Sequence, residues 1–364
     1  MPRVIGIDPG TVSIDVCGLD DGRLFLDRSV PTADALADPA RLVGLLEEEA
    51  GPLDLVAGPS GYGLPLTRAR DATDSDLRLA LLAAAGEPGG IAGLSALLRV
   101  LARSRLPVVL TPGVIHLPTV PAHRKVNRVD MGTADKVCAV ALAVMEQARR
   151  RGCPLSATSF VLLELGGAFT AAVAVAGGQI VDGAGGSAGA LGFRAPGALD
   201  GEVAYLAGTV SKALLFRGGA TTVAGWKEGS EPVERLAHPA TPQERVASEA
   251  FIESAVKTAV ALALSVPGPA EFVLSGRLAQ VEAVSGAIRA RLEPFAPTRL
   301  LEGFAAVAKQ AAQGAALVAD GLAGGTHREL VDLLAIREAR GSVLDHLYVV
   351  PREQALRRLG GELA

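Results

Sequence analysis

Three short motifs in this chain can carry phosphate chemistry. In Gly6-Ile7-Asp8-Pro9-Gly10-Thr11 an acid ends an apolar run and a tight turn follows it. Such a turn aims backbone N–H groups and a carboxylate at one point. The amides of Gly10 and Thr11 can cradle phosphate oxygens while Asp8 holds Mg²⁺ directly or through water. The same residues also suit a plain hairpin with a solvated Asp. In Glu164-Leu165-Gly166-Gly167-Ala168-Phe169-Thr170 two adjacent glycines let the backbone approach an anion closely, and Glu164 is a second candidate metal ligand. In Glu271-Phe272-Val273-Leu274-Ser275-Gly276-Arg277-Leu278-Ala279 an apolar run ends in the small-residue turn Ser275-Gly276-Arg277, which can lie against a purine and ribose. Any strand–turn–helix unit has the same pattern.

Two further groups have the right residue types for handling an acceptor. The run His123-Arg124-Lys125-Val126-Asn127-Arg128-Val129-Asp130 leads into Thr133, Asp135 and Lys136. Phosphoryl transfer needs cations on the equatorial oxygens, which Arg128 and Lys136 can supply. Asp130 can orient or deprotonate an acceptor hydroxyl. The competing reading makes Thr133 a helix N-cap, Asp135 a first-turn acid and the basic residues a solvated loop. In Gly58-Pro59-Ser60-Gly61-Tyr62-Gly63, Ser60 and Tyr62 can hydrogen-bond a substrate, or the loop is simply a turn.

The elements around these motifs follow from periodicity and turn chemistry. Val4–Asp8, Val12–Leu19 and Arg23–Ser29 alternate as strands, with a hairpin turn at Asp21-Gly22. Pro39–Ala50, Ala134–Arg151 and Gln243–Leu264 have helical patterns, and Leu53–Ala57 is a short buried strand. Phe160–Leu165, Ala168–Ala176 and Gln179–Asp182 form a second three-strand unit. Laid over the first without a gap, 156 residues on, it puts Glu164 on Asp8, Gly166 on Gly10 and Gly178 on Gly22. The same order of acid, turn, strand, turn and strand occurring twice points to a duplicated domain. The expected halves are 1–133 and 152–364, each around a five-stranded mixed sheet, joined by a helix over 134–151.

Composition bounds the rest. A chain of 364 residues is long for one core, since single cores stop growing at about 250–300 residues. With 35 Lys+Arg against 39 Asp+Glu there is no basic excess for a nucleic-acid partner. Three scattered cysteines without CxxC spacing argue against a disulfide framework, a zinc ribbon or an iron–sulfur cluster. No signal peptide or membrane span is expected. The expectation is a cytoplasmic α/β protein with a small-molecule substrate, and a homodimer is compatible with it.

Together the motifs resemble the superfamily of actin, Hsp70 and the sugar and acetate kinases. "VIGIDPGTVSIDV" resembles the first phosphate hairpin of butyrate and acetate kinases, "LELGGAFTAAVAVAGGQIVDG" the second, and "FVLSGRLA" their adenosine-binding turn. "GPSGYGLPL" is similar to their substrate loop. With "RVDMGTADKVC" at the central helix, the string resembles a prokaryotic family labelled predicted butyrate kinase. The resemblance implies an α/β fold of two ribonuclease H-like (actin-like ATPase) lobes around a nucleotide cleft, with ATP and Mg²⁺ as cofactors. It implies Asp8 and Glu164 at the metal, and Gly10, Thr11, Gly166, Gly167, Ser275, Gly276 and Arg277 at the nucleotide. Asp130, Arg128 and Asp8 would be catalytic, with Ser60, Tyr62 and Lys136 at the substrate. Asp8 stands where such kinases carry Asn, and Asp15 where they carry a basic residue.

The implied activity is ATP-dependent phosphoryl transfer to a small molecule such as a short-chain carboxylate. The alternative is a nucleotide-driven switch or activator. A junction-cutting nuclease, suggested by "GIDPG" alone, does not fit the second and third motifs.

Overall fold

The computed structural model describes residues 2–59, 61–84, 94–227, 231–268 and 271–360. Two sheets organise the chain. Strands β1 (Arg3–Pro9), β2 (Ser13–Asp20), β3 (Arg23–Pro31), β4 (Leu55–Pro59), β5 (Thr67–Arg68) and β6 (Val108–Thr111) lie in the order β3-β2-β1-β4-β6-β5. Strands β7 (Phe160–Leu165), β8 (Thr170–Ala176), β9 (Gln179–Ala184), β10 (Glu271–Ser275) and β11 (Thr298–Leu300) lie in the order β11-β10-β7-β8-β9. In each sheet the first three strands are antiparallel, and parallel strands extend the other side. This is the expected pair of ribonuclease H-like lobes. The first sheet has six strands rather than five, because Thr67–Arg68 adds a two-residue antiparallel edge to β6.

The internal repeat extends to backbone detail. Gly10 N–H donates to Ser13 O, and Gly166 N–H donates to Phe169 O, each at 2.9 Å. The β2–β3 ladder slips its register between Gly18 and Leu19, and the β8–β9 ladder slips between Ala174 and Val175, again 156 residues on. The paired turns carry positive φ at Asp21 and Gly22, and at Gly177 and Gly178. A shared bulge at the same step of two hairpins fixes the same extra twist in both lobes.

Strand alternation sorts side chains into cores on both faces of each sheet. Ile5, Ile7, Ile14 and Val16 pack outward against helices Pro39–Ala50 and Leu94–Arg103. Val161, Leu163 and Leu165 pack outward against helix Pro242–Ala263. Inward, Val4, Cys17 and Leu19 share one core with Phe160, Leu162, Val173 and Val175 of the other sheet. Between them lie the central helix Ala134–Arg151 and the late helix Gln310–Leu322, both lined with alanine. The late helix packs on β1, β2 and β4. At Gly6 a Cβ would lie 2.2 Å from Ala316 N, so only glycine lets this strand and helix approach so closely. The sequence placed residues 310–322 in the second half, but their packing is on the first sheet.

Candidate functional site

Both repeated acids lie at the mouth of the cleft between the sheets. Asp8 sits one residue before the end of β1 opposite Asp15, and Glu164 one residue before the end of β7 opposite Ala171. Their hairpins face each other. A Cβ on Gly167 would lie 3.4 Å from Thr11 Oγ1 and 3.6 Å from Val12 Cγ2. The third motif meets the second, since Ser275 pairs with Glu164 in register. Gly276 follows with φ +88°, and a Cβ there would meet Leu165 O at 2.6 Å. Asp8, Gly10, Thr11, Tyr62, Asp130, Lys136, Glu164, Gly166, Gly167, Gly276 and Arg277 therefore line one cleft.

Two expected residues among those described do not join them. Ser275 is buried, and its Oγ has no hydrogen-bond partner. Arg128 is exposed on the turn after Asn127 (φ +53°) and donates to Ala188 O at 3.3 Å, away from the cleft wall. Ser60 lies outside the described residues. The basic run before the central helix ties segments together instead of facing phosphate. Arg124 donates to Val181 O at 2.8 Å, and buried Lys125 donates to Leu117 O at 2.9 Å.

The charged centre is built on Lys136, in the first turn of the central helix. Its ammonium lies 2.5 Å from Asp135 Oδ2 and 2.8 Å from Glu164 Oε1, which joins the lobes. Thr133 stands at the N-cap position without capping the helix through its side chain; its hydroxyl donates to Asp135 instead. Burial alone would raise the Asp135 carboxyl, but Lys136 and the Thr133 hydroxyl hold it below its ordinary value. Burial and the charge of Asp135 push Glu164 up despite Lys136. Asp8, 7% exposed, is pushed up to about 7 by burial and then by Asp135 and Glu164, against the pull of Lys309 and Lys136.

That imbalance bears on Mg²⁺. Among the described residues no group of three or more His, Cys, Asp or Glu side chains can hold a metal by itself. Glu164 and Asp135 are committed to Lys136, Asp15 to Lys309 and Asp130 to Ser187, so Asp8 is the carboxylate at the hairpins left for a cation. One carboxylate beside a phosphate cradle suits Mg²⁺ carried by a polyphosphate, which supplies the remaining oxygens.

Lys309 is a site residue that motif reading missed. Its ammonium lies 2.8 Å from Asp15 Oδ2, and a Cβ on Gly10 would touch it at 2.8 Å. A pinned strap delivers it. Glu302 and Gly303 donate their N–H groups to Glu146, Phe304 and Ala305 to Gln313, and Ala306, Val307 and Ala308 to Asp27. Lys309 follows at the start of the late helix. The hairpin's unexpected acid, Asp15, thus partners a cation arriving from nearly 300 residues away.

Asp130 faces the other end of the cleft and is 6% exposed. Gly132 N–H donates to its Oδ1 at 3.3 Å. Ser187 donates to Oδ2 through both N–H (2.9 Å) and hydroxyl (2.8 Å). The Ser187 hydroxyl also bonds the phenol of Tyr62, which burial and Asp130 push above its usual range.

Comparison with known structures agrees with this architecture. The chain is similar to a propionate kinase from Francisella tularensis, at 13% identity and a TM-score of 0.63, covering 86% of this chain and 99% of that one. It is similar to acetate kinase from Entamoeba histolytica, at 13% identity and a TM-score of 0.57, covering 80% and 86%. Acetate kinase from Porphyromonas gingivalis matches at 13% and 0.56, covering 81% and 88%. At these identities the likeness is one of fold, the two-lobed actin-like ATPase fold. No curated protein matches the sequence. No helix among the described residues is long and apolar enough to cross a membrane. A family model matches residues 6–349; it is defined by its members' shared sequence and carries no butyrate kinase designation. On that match the chain belongs to the family described as protein of unknown function (DUF1464).

Proposed function

We propose that this protein is an ATP- and Mg²⁺-dependent phosphotransferase acting on a small molecule. The observation that carries the reading is the pair of matching hairpins, 156 residues apart, that face each other across one cleft with the Gly276 turn beside them. The amides of Gly10-Thr11 and Gly166-Gly167 would hold the triphosphate, and Gly276-Arg277 the adenosine. Mg²⁺ would neutralise charge on the phosphates, with Asp8 as its protein ligand.

The chain's own groups then divide the work. Lys309 beside the first hairpin and Lys136 beside Glu164 of the second line the same cleft, and their ammonium groups would meet the charge that spreads over the transferring group. Asp130, fixed by Ser187 and the Gly132 amide, orients an acceptor and takes up its proton. The short-chain carboxylate suggested by the sequence resemblance is already ionised, has no proton to give Asp130 and would meet its charge. Cys17 and Cys138 are buried thiols pushed up to about 12 by burial, and they take no part in the chemistry. Free cysteines fit a reducing compartment, and we place the protein in the cytoplasm.

ADP formation under Mg-ATP, with ³¹P NMR of the products, tests the reading. Asp130→Asn should lower kcat about 100-fold or more while KM for ATP changes little. Equal turnover by the two proteins would remove Asp130 from the chemistry.

A further inference from the structure

The acceptor end of the cleft has a chemical character of its own. Leu81, Leu94, Phe169 and Phe216 give the cleft an apolar lining beside its charged groups. Phe169 and Phe216 pack edge to face with centroids 4.9 Å apart. Phe169 is rooted in the second phosphate hairpin through the Gly166–Phe169 hydrogen bond, and the ring lies against Gly186, where a Cβ would meet it at 2.6 Å. An apolar surface therefore begins where the phosphate cradle ends. The polar groups facing it are Asp130 and Tyr62, joined through Ser187.

This wall separates three acceptor classes. A carboxylate entering a desolvated site needs a fixed cation. The cleft's cations stand at the nucleotide motifs, where the phosphates claim them: Lys136 between Asp135 and Glu164, Lys309 beside Asp15 of the first hairpin, and Arg277 on the third motif's turn. Lys212 lies over the Tyr62 ring at 4.9 Å and does not line the cleft. Asp130 would repel a carboxylate. A sugar would bring several hydroxyls against leucine and phenylalanine, which leave them unsatisfied. A neutral alcohol with an apolar body meets both demands. Its body takes the apolar wall, and its one hydroxyl has an acceptor in Asp130.

We propose that the acceptor is a small neutral alcohol with an apolar body, its hydroxyl presented to Asp130. The proposal rests on the phosphotransferase reading and narrows it. The hydroxyl oxygen forms a new bond to the γ-phosphorus. The bond from that phosphorus to the β,γ-bridging oxygen breaks, and its electron pair leaves on ADP. The hydroxyl proton passes to Asp130 and then to solvent, so the products are a phosphate monoester, ADP and a proton.

The test uses the full chain with Mg-ATP and matched pairs: n-butanol with butyrate and n-hexanol with hexanoate, with glucose as the polyol. Mg-ATP binding is measured in parallel by calorimetry, and products are identified by ³¹P NMR. The expected product is a monoester, with kcat/KM for hexanol about 15-fold above butanol, from about 4-fold for each buried methylene. Phe216→Ala should flatten that chain-length series. Acyl phosphate from the acids, or preference for glucose, would overturn the proposal and leave the phosphotransferase reading standing. ADP formation that no acceptor changes would overturn it in favour of hydrolysis. Failure to bind Mg-ATP would remove the phosphotransferase reading itself.

Discussion

Replacing Lys136 by methionine removes the cation shared by Asp135 of the central helix and Glu164 of the second sheet. The side chains of Lys136, Asp135 and Glu164 are 13%, 23% and 16% exposed, so solvent screens them weakly. Breaking a buried pair by deleting one partner costs about 3–5 kcal/mol. Protonation sets a ceiling on that cost. Glu164 can escape its uncompensated charge by binding a proton, which from its ordinary value of 4.5 costs about 3 kcal/mol at pH 7. We therefore expect Lys136→Met to lose about 3 kcal/mol at pH 7. The sign with pH follows. In the variant the folded-state pKa of Glu164 rises further above its unfolded value. The folded state then holds the extra proton, and the variant regains up to about 1.4 kcal/mol per pH unit as pH falls towards 4.5. Adding Glu164→Gln should recover about 2 kcal/mol at pH 7 and abolish that slope. Urea midpoints at pH 5.5 and 7.5 read both effects. A loss below about 1 kcal/mol at pH 7, with no recovery from the second substitution, would refute the claim that Lys136 is the charge centre of the cleft.

Lys309→Met should raise KM for Mg-ATP about 10-fold or more in the turnover assay, because it removes the cation that the strap holds against the phosphate hairpin; an unchanged KM would leave Lys309 as a partner of Asp15 alone. His116 is 2% exposed, and burial, despite a backbone partner at Gly113, holds its pKa down at about 4. Its contribution is therefore fully present above about 6.5 and is lost as pH falls towards 4, at up to about 1.4 kcal/mol per pH unit. His116→Phe should flatten that part of the acid limb in urea titrations between pH 7 and 4.5.

Local patterns were legible where the physics is local. Pro39–Ala50 and Ala134–Arg151 have the predicted bounds, because a proline at N1 starts one and Gly152 in the left-handed region ends the other. The repeat was legible because turn chemistry at Gly10, Gly22, Gly166 and Gly178 is written in single residues. β11 was not, since Thr298–Leu300 is three half-buried residues held by pairing with β10 and by the ion pairs of Arg299 with Glu146 and Glu271, contacts remote in sequence. Lys309 was invisible because its role depends on a strap held by Glu146, Gln313 and Asp27, residues scattered over almost 290 positions. Arg128 misled for the opposite reason. With Asn127 at positive φ, Arg128 donates to the Ala188 carbonyl beside Ser187, the partner of Asp130, and does not line the cleft. Phe169 was quoted within the second motif, but its partner Phe216 comes from a distant helical turn, so the apolar wall exists only in three dimensions.

The central claim is that two duplicated hairpins hold Mg-ATP with Asp8 at the metal. Titration calorimetry of the full chain with ATP tests it most directly, run with Mg²⁺, with EDTA, and with Asp8→Asn under Mg²⁺. The account predicts one site per chain, binding that depends on Mg²⁺, and affinity at least 10-fold weaker in Asp8→Asn. No binding of Mg-ATP by the wild type, or equal affinity in all three titrations, would contradict it.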